Sequence, residues 1–466
     1  MQLPLWLVVL GAVFAAIGLL DRIFAPSVRW FFQRKANTAI EELNTRLHLR
    51  IQPFKTTRRR ALIDRLLYDP EVVAAIDLEA KETGTPREVI AKRAERYARE
   101  IVPAFNAYAY TAIGTRLCKW ITTFVYRVRL GFSDDEALSQ IDPEASVVFV
   151  MNHRSNMDYL IVTYLASASA TLSYAVGEWA RIWGLQNIIR AMGAYFIRRD
   201  SGNKLYRRVL ARYVHMATRE GVTQAMFPEG GLSRDGNLRE PRFGLLSYMI
   251  SGFDENTDRD VVFVPVGLNY DRVIEDRVLT GTAHRKIGEK TFRFGFLKTA
   301  AFVWNLFLLR VQGKLFRYGY ACASFGKPVA LKEWLRNEEL SIADAKEEER
   351  FALVEQFGQH LHERVGDVLP VVPVALVASV FQDAGMEALS ELELKARCFR
   401  LMEKLEEDGA HIYVPRQDRD YAISAGLRML TLRRLVREEE GAFVAERREE
   451  KLLAYYANSI GHRLAA

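Results

Sequence analysis

A histidine and an aspartate stand five positions apart in the string Asn152-His153-Arg154-Ser155-Asn156-Met157-Asp158. An imidazole that titrates at about pH 6.5 can take a proton from a hydroxyl, and a carboxylate on its other ring nitrogen fixes the tautomer and stabilises the imidazolium. No G-x-S-x-G elbow occurs in the chain, which points to a substrate hydroxyl rather than a protein serine as the group to be activated. Taken alone, the same spacing also suits a histidine capping a helix, with Asp158 paired to Arg154.

Three further strings carry chemistry of a compatible kind. Phe227-Pro228-Glu229-Gly230-Gly231 ends in two glycines that let a ligand approach the backbone and aim amide N–H groups at it, and Ser233 and Arg234 follow with a hydroxyl and a guanidinium suited to a phosphate. Gly193-Ala194-Tyr195-Phe196-Ile197-Arg198-Arg199 supplies a second pair of arginines, and Val264-Pro265-Val266-Gly267-Leu268-Asn269 closes a third apolar run. Either arginine cluster alone is equally a solvated surface.

The elements that must position these strings can be read from their surroundings. Ser146 to Met151 is too short and too β-branched for a helix and is apolar enough for a strand buried on both faces, and similar runs lie at Thr223 to Phe227, Val261 to Leu268 and Tyr320 to Phe325. Helical lengths separate them at Tyr159 to Ala168, Gly184 to Met192 and Gly202 to Arg219. Alternation of this kind predicts an α/β core over residues 131–345 with a mixed, largely parallel sheet and flanking helices. Its strand-to-helix loops are where such proteins place their sites. Residues 61–130 read as a helical preface and 346–466 as a helical, charged C-terminal region.

The 466 residues allow about three domains, and 49% apolar with 26% charged residues is the composition of an ordinary folded chain. Cys118, Cys322 and Cys398 lie far apart with no C-x-x-C pair, which excludes a disulfide framework and suits a reducing compartment. The net charge of +7 is accounted for by residues 1–60, so the neutral body disfavours nucleic acid as a partner. Leu3 to Leu20 carries no charge, and its length nearly spans a hydrocarbon core of about 30 Å. Residues 1–24 are therefore expected to form a single transmembrane anchor and 25–60 a basic juxtamembrane arm, with the body on the cytoplasmic side of the cell inner membrane. A buried core helix is the other reading of the same run. Thr299 to Leu309 is apolar but too short to span, and suits a buried or an interfacial helix. No metal is indicated: His360 and His362 are the only close pair and fall on different helix faces. Rossmann and Walker strings are absent, so no cofactor is expected.

Taken in chain order, with Gly193–Arg199 second and Phe227–Gly231 third, the four strings resemble the glycerolipid acyltransferases with the H-x-x-x-x-D box, specifically the bacterial membrane-bound glycerol-3-phosphate acyltransferases. Asp69-Pro70-Glu71-Val72 and Tyr455-Tyr456-Ala457-Asn458-Ser459-Ile460 look like flanks of that subgroup, so the resemblance covers roughly residues 61–466. Two residues depart from it: Asn156 stands where a second histidine is common, and Leu232 where an arginine is usual. The resemblance implies acyl transfer from acyl-CoA or an acyl carrier protein thioester to the sn-1 hydroxyl of glycerol 3-phosphate at a lipid membrane. His153 would be the base and Asp158 its orienting partner, with Gly230 and Gly231 amides as oxyanion donors. Arg199 and Arg234, supported by Arg198, Arg154 and Ser233, would hold the phosphate. Glu229, Phe196, Ile197 and Pro265 would complete the substrate site. Lysophosphatidate as acceptor, a lipid-binding protein without activity and a membrane hydrolase are the alternatives.

Overall fold

The computed structural model describes residues 52–107, 109–167, 171–177, 185–198, 202–282 and 318–464. The expected anchor, most of the basic arm, the run Thr299 to Leu309 and Arg199 lie outside these residues. Among the described residues no helix is long and apolar enough to cross a membrane.

The preface folds as helices α1 (Arg59–Leu67), α2 (Pro70–Thr83) and α3 (Arg87–Ile101). Asp69-Pro70 starts α2 as its types dictate: the Asp69 carboxylate accepts from the Glu71 amide, and Pro70 takes a position whose N–H would be orphaned anyway. The same carboxylate takes a bidentate grip from Arg212, which fastens the preface to the core. Helix α4 (Thr115–Val125) leads into strand β1 (Arg127–Ser133). The expected boundary after residue 130 therefore falls inside a strand, whose alternating charges mark an edge rather than a helix end.

The sheet is built from β1, β2 (Ser146–Met151), β3 (Ser173–Gly177), β4 (Tyr195–Ile197), β5 (Gln224–Met226), β6 (Val261–Tyr270), β7 (Tyr320–Phe325) and β8 (Val329–Ala330), in the order β1-β7-β6-β2-β5-β3-β4, with β8 on β6. Strands β2 to β6 run parallel, while β7 and β8 are antiparallel to β6. All residues of β2 and β6 are buried, which is why they read as unbroken apolar runs. Helices α5 (Asp158–Ala166), α6 (Leu185–Ala191), α7 (Lys204–Arg219) and α8 (Gly244–Ile250) connect the strands.

The C-terminal region comprises α9 (Glu347–Asp367), α10 (Pro373–Ala384), α11 (Glu391–Glu407), α12 (Arg419–Leu432) and α13 (Glu450–Ala457), with a small sheet of β9 (Leu389–Ser390), β10 (Val436–Glu439) and β11 (Ala442–Ala445) that the helical reading did not contain. Helix α10 is apolar nearly all round and is buried from Pro373 to Phe381. It shares one core with the sheet, in which Val147, Phe149 and Val264 join Leu376, Val380 and Ile460.

Candidate active site

Adjacent parallel strands bring the first and third strings together. Strands β2 and β5 pair through Val150 and Met226, so the loops at their carboxyl ends meet. The His153 amide donates to Glu229 Oε1 at 2.9 Å, and the Ser233 amide donates to the His153 carbonyl at 3.0 Å. His153 and Asp158 are both buried, and Nδ1 lies 2.9 Å from Asp158 Oδ2. A hydrogen on Nδ1 facing this carboxylate leaves the Nε2 lone pair as acceptor, and Nε2 has no partner among the described residues. The ring is clamped by Phe227, stacked with centroids 4.1 Å apart, and by the edge of Tyr159.

Asp158 opens α5, where a carboxylate meets the positive end of the helix dipole. Its Oδ2 also accepts from the amides of Arg154 at 2.8 Å and Ser155 at 3.0 Å, and its Oδ1 accepts from the Tyr270 hydroxyl. Burial and the Asp158 charge push the Tyr270 phenol well above its ordinary range, keeping it a donor. The loop is held from outside by Glu275, which accepts from Ser155 Oγ at 2.8 Å and from Asn156 Nδ2 at 3.0 Å. Asn156, the departure from the subgroup's histidine, is therefore a loop tether. Burial lifts the Glu275 carboxyl above its usual range and lifts Glu229 to about 8, and Glu229 Oε2 is buried without a partner.

Several residues expected to grip a phosphate are committed elsewhere. Arg154, 2% exposed, donates to the carbonyls of Gly236 and of Ser459, the latter at 3.1 Å. Arg198 makes a two-pronged pair with Glu100 at 2.9 and 2.7 Å. Ser233 Oγ donates to the Asn237 carbonyl at 2.8 Å and accepts from the Gly236 amide, so it builds its own loop. Arg234 is exposed beside them and stays available. The Gly230 amide closes a turn on the Phe227 carbonyl at 3.1 Å, with φ at +66°, and is lost as an oxyanion donor. Gly231 remains, its amide donating to no acceptor among the described residues. Phe196 is fully buried in the core. Pro265 lies inside β6 opposite Val150 with its carbonyl accepting from the Gly326 amide, and Ile197 is half-buried at the end of β4.

Tyr270, Glu275 and Ser459 complete the site and were not singled out by residue type. Tyr270 directly follows the fourth string, but nothing local ties it to an aspartate 112 positions earlier.

Two family models match: Acyltransferase over residues 131–269, and Glycerol-3-phosphate acyltransferase C-terminal region over residues 304–466. The chain thus carries an Acyltransferase domain followed by a glycerol-3-phosphate acyltransferase C-terminal region. It is 30% identical over 424 residues to the glycerol-3-phosphate acyltransferase of Aeromonas hydrophila, covering 88% of this chain and 51% of that one. The protein of the same name from Pseudomonas syringae pv. syringae is 29% identical over 358 residues, covering 72% and 41%. The chain thus spans about half the length or less of these relatives. Among solved structures, the 1-acyl-sn-glycerophosphate (LPA) acyltransferase PlsC from Thermotoga maritima matches at 18% identity and a TM-score of 0.30, covering 66% of this chain and 96% of that one.

Proposed function

We propose that this acyltransferase moves a fatty acyl group from a thioester, acyl-CoA or acyl carrier protein, to the sn-1 hydroxyl of glycerol 3-phosphate, giving a lysophosphatidate. The observation that carries the reading is the buried His153 ring, held on Asp158 through Nδ1 and unpartnered at Nε2 among the described residues. Nε2 takes the proton of the acceptor hydroxyl as its oxygen bonds to the thioester carbonyl carbon. Asp158, braced by Tyr270, stabilises the imidazolium. The Gly231 amide, which donates to no acceptor among the described residues, serves the oxyanion; one such donor contributes about a hundred- to a thousandfold. Collapse of the tetrahedral species breaks the carbon–sulfur bond, and the imidazolium returns the proton to the thiolate. Arg234 and Arg199 hold the acceptor phosphate, since a guanidinium fork matches phosphate oxygens.

The membrane supplies the lipid surface. Residues 1–24 anchor the chain in the inner membrane with the body on the cytoplasmic side, and extraction of the full chain by alkaline carbonate would overturn the anchor.

Thiol release from palmitoyl-CoA, followed with and without acceptor and with products identified by mass spectrometry, tests the reaction. Release is expected only with glycerol 3-phosphate. Release without acceptor would make the protein a hydrolase, and none under any condition a binder. Lysophosphatidate is the second acceptor to test, because Leu232 replaces an arginine and Arg154 and Arg198 are already engaged.

A further inference from the structure

Three bases of the expected arm do not face solvent together as an arm would. Lys55 is 8% exposed, and its Nζ donates to the Thr171 carbonyl at 2.6 Å and Oγ1 at 3.2 Å, over the rings of Phe105 and Tyr110 at 4.5 and 5.5 Å. It forms one wall of a cavity of about 240 Å³ that Arg58 and Arg59 also line, with the polar side chains of Asn106 and Ser173. No carboxylate is among the lining residues. Arg59 uses Nε on the Val102 carbonyl at 2.9 Å, while Arg58 is exposed and makes no ion pair among the described residues. Arg99, itself paired with Glu95, and Arg190 add positive potential at Arg59.

The cavity is remote in topology from His153. Ser173 is the first residue of β3, and Val222, also in the lining, precedes β5. His153 follows the carboxyl end of β2. Because β2, β3 and β5 are parallel, the two places lie at opposite ends of the strands, which are the two rims of the sheet. Gly193, at φ +87°, makes room for the cavity wall: a Cβ there would meet Phe105, Lys55 and Ser173 at 3.0 to 3.3 Å.

A buried amine in a wall that two arginines and no acid help to line is an unbalanced charge, which burial penalises heavily unless an anion supplies the balance. The volume equals that of about eight waters at roughly 30 Å³ each, room for a phosphate bearing a small alcohol. We propose that this cavity is a second anion site, which takes the phosphate group of a phosphomonoester on the sheet rim opposite His153. Without the anion, burial lowers the Lys55 amine to about 7; a bound phosphate favours the ammonium and raises it again.

Reductive methylation of the full chain in detergent, read at the Lys55 peptide by mass spectrometry, tests this. Lys55 is expected to label half-maximally near pH 7, and at pH 7.5 to label at least tenfold more slowly when the ligand is supplied. Inorganic phosphate, glycerol 3-phosphate and phosphatidate vesicles are separate arms, with phosphatidylcholine vesicles as control. Protection by the free phosphates assigns a soluble ligand; protection by phosphatidate alone assigns a lipid headgroup. Arg58→Ala, an exposed change outside the catalytic loop, should abolish protection while Lys55 still labels, and His153→Ala should leave protection intact. Protection in no arm, protection indifferent to Arg58→Ala, or protection lost with His153→Ala would each overturn the proposal.

Discussion

Asp158 fixes its ring partner by sharing two oxygens among four donors, and the Tyr270 hydroxyl is the one that can be removed without touching the loop. Tyr270→Phe keeps the ring but makes the carboxylate more basic, which favours the imidazolium. The acid limb of the kcat/KM profile is expected to move to higher pH. A hydrogen bond to a charged group contributes about 1.5–3 kcal/mol, and because this one is already made in the resting protein its loss should appear as a lower Tm in thermal denaturation, with the thioester KM little changed. An unmoved limb would leave Tyr270 a packing residue only. Glu229 gives a prediction about stability. Its carboxyl is raised from 4.5 to about 8 by burial, so between these values the folded chain keeps a proton that the unfolded chain has lost. This contribution is fully present below pH 4.5 and is lost as pH rises towards 8. Glu229→Gln still accepts from the His153 amide but cannot titrate, so its Tm should decline less between pH 5 and 8 than that of the parent. Equal slopes in thermal scans would refute the raised carboxyl.

The loop of residues 231–237 owes its shape to Gly236. At φ +91° its Cβ position overlaps the Tyr455 carbonyl oxygen, while its own carbonyl accepts from Arg154 and its amide donates to Ser233. Gly236→Ala should cost about 2–6 kcal/mol, combining a strained φ with an overpacked contact, and thermal denaturation should show the loss together with reduced turnover. A wild-type Tm would mean that the loop has room to move. The same loop shows what a sequence can and cannot disclose. Strands β2, β6 and β7 were legible because burial on both faces writes a continuous apolar run. Strands β3 and β4 are three to five residues long, below the length at which periodicity speaks, and β10 with β11 is hidden in a Glu-rich stretch. His153 and Asp158 were legible because their pairing is local. The arginines were not: a guanidinium suits a phosphate, a glutamate or a carbonyl equally well, and Arg154 finds its partner 305 positions away.

On the scale of the whole molecule, the sheet and the C-terminal helices cannot be separated without opening a core. Arg433 and the Tyr456 hydroxyl both donate to Asp276, just after Glu275, and Asn269 donates to Ser459 Oγ at 3.2 Å. Hydrogen exchange in rising denaturant should therefore give one unfolding midpoint for peptides from β2 and from α10; two well-separated midpoints would show independent units. The Arg154–Ser459 contact also sets an order in time. During synthesis the strands and the His153 loop leave the ribosome long before Ser459 does, and the guanidinium that belongs on its carbonyl has meanwhile no such acceptor. A nascent chain that has already presented its whole histidine–aspartate box should thus be inert towards thioesters. The loop takes the shape described here only when the turn at Asn458–Ile460 arrives, so the last residues of the chain are part of the box whose Arg154 lies 305 positions before Ser459.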